Sequence, residues 1–156
     1  MKFSILLVVL PFVESGPTLY QLWSEDSLYK STRLGLSQDT NHNDAYWLVE
    51  RDDTQDLFYL EDSELVKFPT GNDGNKLSAH VDLEKDDLLF TYPEPKDFQV
   101  TDAKPNLVQN IGGLYLSVND QTGFESCNDG HIRLTKKTPG CIPIAILVKY
   151  DVPHKL

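Results

Sequence analysis

From Pro17 to Tyr150 the chain carries no sustained helical period; short segments rich in aromatic and β-branched residues recur instead between turn signals. Side chains sharing one face of a helix recur every three or four residues, whereas those sharing one face of a strand recur every second. Residues 19–23, 33–36, 46–50, 57–60, 65–68, 77–83, 88–92, 98–101, 114–118, 132–135 and 142–149 follow the strand pattern. Asn72-Asp73-Gly74, Asn128-Asp129-Gly130 and Gly112-Gly113 supply residues tolerant of positive φ, while Pro93, Pro95 and Pro105 interrupt strands near edges. Residues 142–148 form the most apolar stretch beyond the amino terminus and read as a central strand closing the core. Pro143 belongs at that strand's beginning, because it has no N–H for a ladder. The expected fold is all-β, a single compact antiparallel β-barrel, with a β-sandwich as the alternative. Weak similarity between Phe58-Tyr59-Leu60 and Leu114-Tyr115-Leu116 points to a three-fold, β-trefoil-like barrel, although the repeat spacings are uneven.

The amino terminus has the layout of a secretory signal. Lys2 is followed by an apolar run over residues 3–12, and Val13 and Ser15 occupy the small-residue positions before a cleavage point. Cleavage is expected after Ser15, leaving a single β domain over residues 16–156. The run is shorter than the ~20 residues that span a bilayer. No second apolar segment follows, and residues 152–156 are polar, so no membrane partner or lipid anchor is expected. Lys2 and Glu14 leave together, so the net charge of −10 is unchanged. Nucleic-acid binding is excluded on that charge, since it relies on Lys and Arg displacing counterions. A monomer is expected.

Cys127 and Cys141 are the only cysteines. In an oxidising compartment the pair most simply forms one disulfide, and closing a loop of this size stabilises the fold by ~3 kcal/mol. A metal site built on the pair and His131 lacks a fourth ligand. His42, His80, His131 and His154 sit in no nucleophile or metalloprotease motif. His80 and Asp82 share one strand face, which suits a cross-strand polar pair. The doublets Asp52-Asp53, Glu61-Asp62 and Asp86-Asp87 read as solvated charge at turns, since adjacent strand residues diverge and cannot face each other across a sugar. No catalytic residue, cofactor or metal is therefore expected. Trp23, Trp47 and Tyr115, with Tyr29, are the candidate carbohydrate-contacting aromatics, each of which also fits an inward strand position.

Three segments resemble the fungal cell-wall protein PhiA family. Residues 56–68, Asp-Leu-Phe-Tyr-Leu-Glu-Asp-Ser-Glu-Leu-Val-Lys-Phe, are similar to its "FYL.DGELYLY" stretch. Residues 98–106 followed by Gly113-Leu114-Tyr115-Leu116-Ser117 resemble its "F.ACPN....GAWSIW" stretch, and residues 140–148 resemble its "NC.GF.A.AV" ending. The resemblance spans residues 19–150 and implies a structural or developmental role in the fungal wall, without enzyme activity or cofactor. Lys104 stands where the family has the cysteine of "ACPN". If that cysteine pairs with the one matching Cys141, the bridge is absent here and Cys127 becomes the replacement partner. Asp62-Ser63 replaces Asp-Gly, which leaves the tightness of that turn open. The expected function is a non-enzymatic, secreted, wall-associated protein whose partners are wall polysaccharide or other wall proteins. The alternative is a secreted binding module: a lectin, a protease inhibitor or a host-directed effector.

Overall fold

The computed structural model describes residues 16–69, 76–92 and 97–151. The expected leader over 1–15, the expected Asn72-Asp73-Gly74 turn, Pro93, Pro95 and His154 lie outside them. The described residues form thirteen strands and no helix. In chain order these are β1 (Tyr20–Glu25), β2 (Ser31–Gln38), β3 (Ala45–Glu50), β4 (Phe58–Glu61), β5 (Glu64–Lys67), β6 (Leu77–Asp82) and β7 (Leu88–Thr91). They continue with β8 (Val100–Asp102), β9 (Pro105–Asn110), β10 (Gly113–Val118), β11 (Phe124–Ser126), β12 (Ile132–Leu134) and β13 (Ile142–Tyr150).

Pairing runs antiparallel through β1-β2-β3-β7-β6-β5-β4 and returns to β1 where Tyr20 meets Phe58, which closes a seven-stranded barrel. The other edge of β1 pairs along its full length with β13, from Tyr20 opposite Tyr150 to Glu25 opposite Ala145. Strand β13 in turn carries β10 and β11. Three hairpins, β2-β3, β6-β7 and β11-β12, converge: β3 pairs with β7, Val49 bridges His131, and Asp87 bridges Arg133. This is a trefoil-like arrangement, and it is uneven. Strand β8 pairs with β6 rather than closing its own third on β5.

All three parts of the chain feed one core. Leu22, Leu34, Leu48 and Phe58 meet Leu65, Val81, Leu88 and Phe90 from the middle of the chain, and Leu116, Phe124, Ile132 and Ile146 from the end. Period-two alternation accounts for this: Leu22 and Ser24 point inward against Val148 and Ile146, while Trp23 and Leu147 face outward.

Two strands fall outside the sequence expectation. Strand β9 is polar, Pro-Asn-Leu-Val-Gln-Asn, and has β10 as its pairing partner, so its strand character comes from that pairing rather than from its composition. Pro105 is its first residue, a position that needs no ladder donor. Strand β11 has three residues, too few to display alternation, and is held between β12 and β13. Pro143 is the second residue of β13, opposite Glu125.

The Asp62-Ser63 turn is as tight as a two-residue hairpin allows, joining Glu61 of β4 to Glu64 of β5. Both residues have positive φ, 52° and 65°, a conformation that suits the twist of a hairpin but strains an L side chain at Ser63. Ser63→Gly is expected to raise unfolding stability by about 0.5–1 kcal/mol, read as a shift of the denaturant midpoint at unchanged slope.

Candidate functional site

Three of the four sequence-nominated aromatics are engaged within the chain. Trp23 lies on the outer face of β1 with its indole N–H donating to Gln21 (3.1 Å) and the Lys149 ammonium over its ring at 4.1 Å. Tyr115 faces outward on β10 and is nevertheless buried; its hydroxyl donates to Glu25 at 2.7 Å. That hydrogen bond, with burial, pushes its pKa up to about 12. Trp47 is half-buried at the hairpin junction, where its N–H donates to Asp39 (2.9 Å) and its ring stacks on His131 at 4.5 Å. Tyr29 is exposed at the β1-β2 turn with φ 61°.

His131 draws in an acid that the doublet reading leaves on the surface. Asp87 is 1% exposed, because its backbone bridges Arg133 across the hairpin junction. Its Oδ2 lies 3.0 Å from His131 Nδ1, and its Oδ1 lies 2.9 Å from Arg133 Nε, off the line of a hydrogen bond, so the latter attraction is that of an ion pair. Asp129 Oδ2 stands 3.6 Å from both His131 Nδ1 and Arg133 Nη2. Asp87, Asp129 and His131 present ligand atoms within 4.8 Å of one another, and the cation these carboxylates hold is the Arg133 guanidinium. Nothing local in the sequence links Asp87 to His131; forty-four positions separate them. His80 makes the expected polar contact across the hairpin, to Thr91 Oγ1 at 3.2 Å, while Asp82 caps its own turn by accepting from Lys85 N–H. Burial raises the Asp82 pKa.

A concavity lies elsewhere, where the connection between β3 and β4 crosses β2. Gly35 permits that crossing: a Cβ there would sit 2.4 Å from Thr54 Oγ1. Strand β2 offers Leu36, whose N–H donates to Asp56 Oδ2 (2.8 Å) and whose C=O accepts from Arg51 Nη1 (2.6 Å). Arg33 Nη2 holds the Asp56 carbonyl at 3.0 Å, and Asp56 N–H donates to Thr54 Oγ1 at 3.1 Å. The connection is thus fixed at both ends. Between it and β5-β6 lies a cavity of about 370 Å³ lined by residues that include Tyr46, Tyr92, Arg51, Gln55, Asp56 and Lys67. Its size is that of a small-molecule site. Two tyrosines beside an amide, a guanidinium and a carboxylate are the groups that recognise a polyol. Aromatic rings cover its C–H faces, and planar polar side chains meet its hydroxyl pairs.

No protein-family model, characterised protein or solved structure matches this chain.

Proposed function

We propose that this protein is a non-catalytic extracellular binding module that holds one saccharide unit of a cell-wall glycan in the cavity beside Tyr46. The observation that carries the reading is the lining itself, Tyr46 and Tyr92 with Arg51, Gln55, Asp56 and Lys67 around about 370 Å³. The secretory layout of residues 1–15 supports an extracellular location, and the Cys127–Cys141 disulfide is compatible with it. The resemblance of residues 56–68, 98–117 and 140–148 to a fungal wall family favours the wall as its place. Glycan binding reconciles the two expected functions, since a lectin-like module without catalytic chemistry is retained in a polysaccharide wall.

The test is a glycan array followed by titration. Gln55 is exposed and makes no hydrogen bond within the described residues, so Gln55→Ala leaves the fold intact. Both Gln55→Ala and Tyr46→Ala are expected to weaken binding, the latter about tenfold, equivalent to ~1.4 kcal/mol. Failure of the wild type to bind any wall glycan, or binding by both variants as tight as that of the wild type, overturns the reading.

A further inference from the structure

The cavity lining carries cationic donors that the described residues leave uncommitted. Lys67 is largely buried, its side chain 15% exposed. Its ammonium donates once, to the Phe68 carbonyl at 3.1 Å, and stands 3.9 Å from Asp56 Oδ1, beyond hydrogen-bond reach. An ammonium has three N–H groups, so two remain uncommitted by any described residue. Arg51 spends Nη1 on the Leu36 carbonyl and places Nε 3.4 Å from Asp53, while its Nη2 group makes no hydrogen bond within the described residues. The lining carboxylates are partly engaged. Asp56 has Oδ2 taken by Leu36 N–H and Oδ1 turned to Lys67; Asp53 is 79% exposed at the rim and paired with Arg51. Thr54 Oγ1 is taken by Asp56 N–H. Two Lys67 N–H groups and the Arg51 Nη2 group are therefore uncommitted among the described residues, beside two carboxylates that are each turned to one of these cations.

We infer that the cavity selects a carboxylate-bearing sugar, a hexuronate, over a neutral hexose; the inference rests on the saccharide reading above. A sugar carboxylate accepts from Lys67 and from Arg51 Nη2 together, and charge-assisted bonds of this kind are about twice as strong as those a neutral hydroxyl makes. Because Lys67 is shielded from solvent and incompletely neutralised by Asp56, the preference is expressed where water is scarce.

Calorimetric titration of the full secreted chain with sodium glucuronate, sodium galacturonate, glucose and galactose tests this. Uronates are expected to bind about tenfold more tightly than the neutral sugars. Their affinity, and not that of the hexoses, is expected to fall between low and high salt. In Lys67→Met the ratio of uronate to hexose affinity is expected to move toward one. Equal affinities in the wild type, an unscreened uronate affinity, or an undiminished ratio in Lys67→Met overturns the inference while leaving saccharide binding standing. If all four sugars fail to bind, the uronate preference falls, while the saccharide reading is decided separately by the glycan array. The salt comparison uses the wild type alone, so it decides the matter even if the variant does not fold.

Discussion

Cys127→Ser, Cys141→Ser and the double substitution are expected to lower stability by nearly the same amount, about 2–5 kcal/mol, because each breaks the same link. The bridge extends the β11-β13 ladder one step beyond Ser126 opposite Ile142, and the loop it closes contains all of β12. That loop matters because Phe124, Ile132, Leu134 and Ile144, from the three strands concerned, are all buried in the core. Without the bridge the ends of β11 and β13 are joined by backbone pairing alone, and the unfolded chain regains the freedom of a fourteen-residue separation. A loss of this size is a large share of the ~5–15 kcal/mol that holds a typical domain together. Denaturant midpoints of the three variants measure it. Thiol titration of the denatured wild type without reductant should find no free thiol; two free thiols, or widely different midpoints for the single variants, would contradict the link.

The second large effect is expected at Glu125, a carboxylate 2% exposed in β11. Its Oε1 accepts from Thr135 Oγ1 (3.3 Å), Lys136 N–H (3.1 Å) and Thr138 N–H (3.3 Å), and so folds the connection between β12 and β13 onto the barrel. Glu125→Ala strips all three donors of their acceptor and empties a buried site, at an expected cost of about 2–3 kcal/mol. Glu125→Gln retains an oxygen in place and should cost about 1 kcal/mol. Burial pushes the Glu125 pKa up, but the hydrogen bonds from Thr138, Lys136 and Thr135 outweigh it and hold the group below its ordinary value. A depressed carboxylate adds stability above its unfolded pKa, about 4.3 for glutamate, and that contribution is lost as pH falls through the folded value. Asp39 is also depressed and shifts in the same sense, so the informative quantity is the difference between wild type and Glu125→Gln. That difference is expected to be constant at neutral pH and to shrink below about pH 4. A difference that does not change with pH would show that the charge on Glu125 contributes nothing. Glu125 Oε2 lies 3.9 Å from Cys127 Sγ, so removing both the acid and the bridge should be less than additive.

Strand alternation made most of the barrel legible. The inward set Leu22, Leu48, Leu65, Phe90, Leu116 and Ile146 lies on segments whose pattern and turn signals are local, and Pro143 sits near the start of β13 as its missing donor requires. Where a strand owes its existence to its partner, local pattern fails, as in β9 on β10 and in the three residues of β11. Side-chain chemistry was less legible still. Asp87 reads as half of a solvated doublet until the hairpins converge and set it against His131 and Arg133. The cavity depends on residues 51–56 crossing β2 at Gly35 and facing Lys67, contacts between three separate parts of the chain. Arg51 and Asp53 carry no motif; only the crossing turns them into a lining. The aromatic residues that composition brings forward, Trp23, Trp47 and Tyr115, are held by Lys149, His131 and Glu25, whereas Tyr46, one of the two tyrosines at the cavity, lies one position from Trp47 on the opposite face of β3.

Amide chemical-shift mapping of the isotope-labelled protein during titration with solubilised wall glycan tests saccharide binding most directly. Saturable shifts are expected to concentrate on Leu36, Tyr46, residues 51–56 and Lys67, the groups that frame the cavity. Saturable shifts centred on the Leu28-Tyr29 turn or on Trp23, with the cavity amides unmoved, would contradict it.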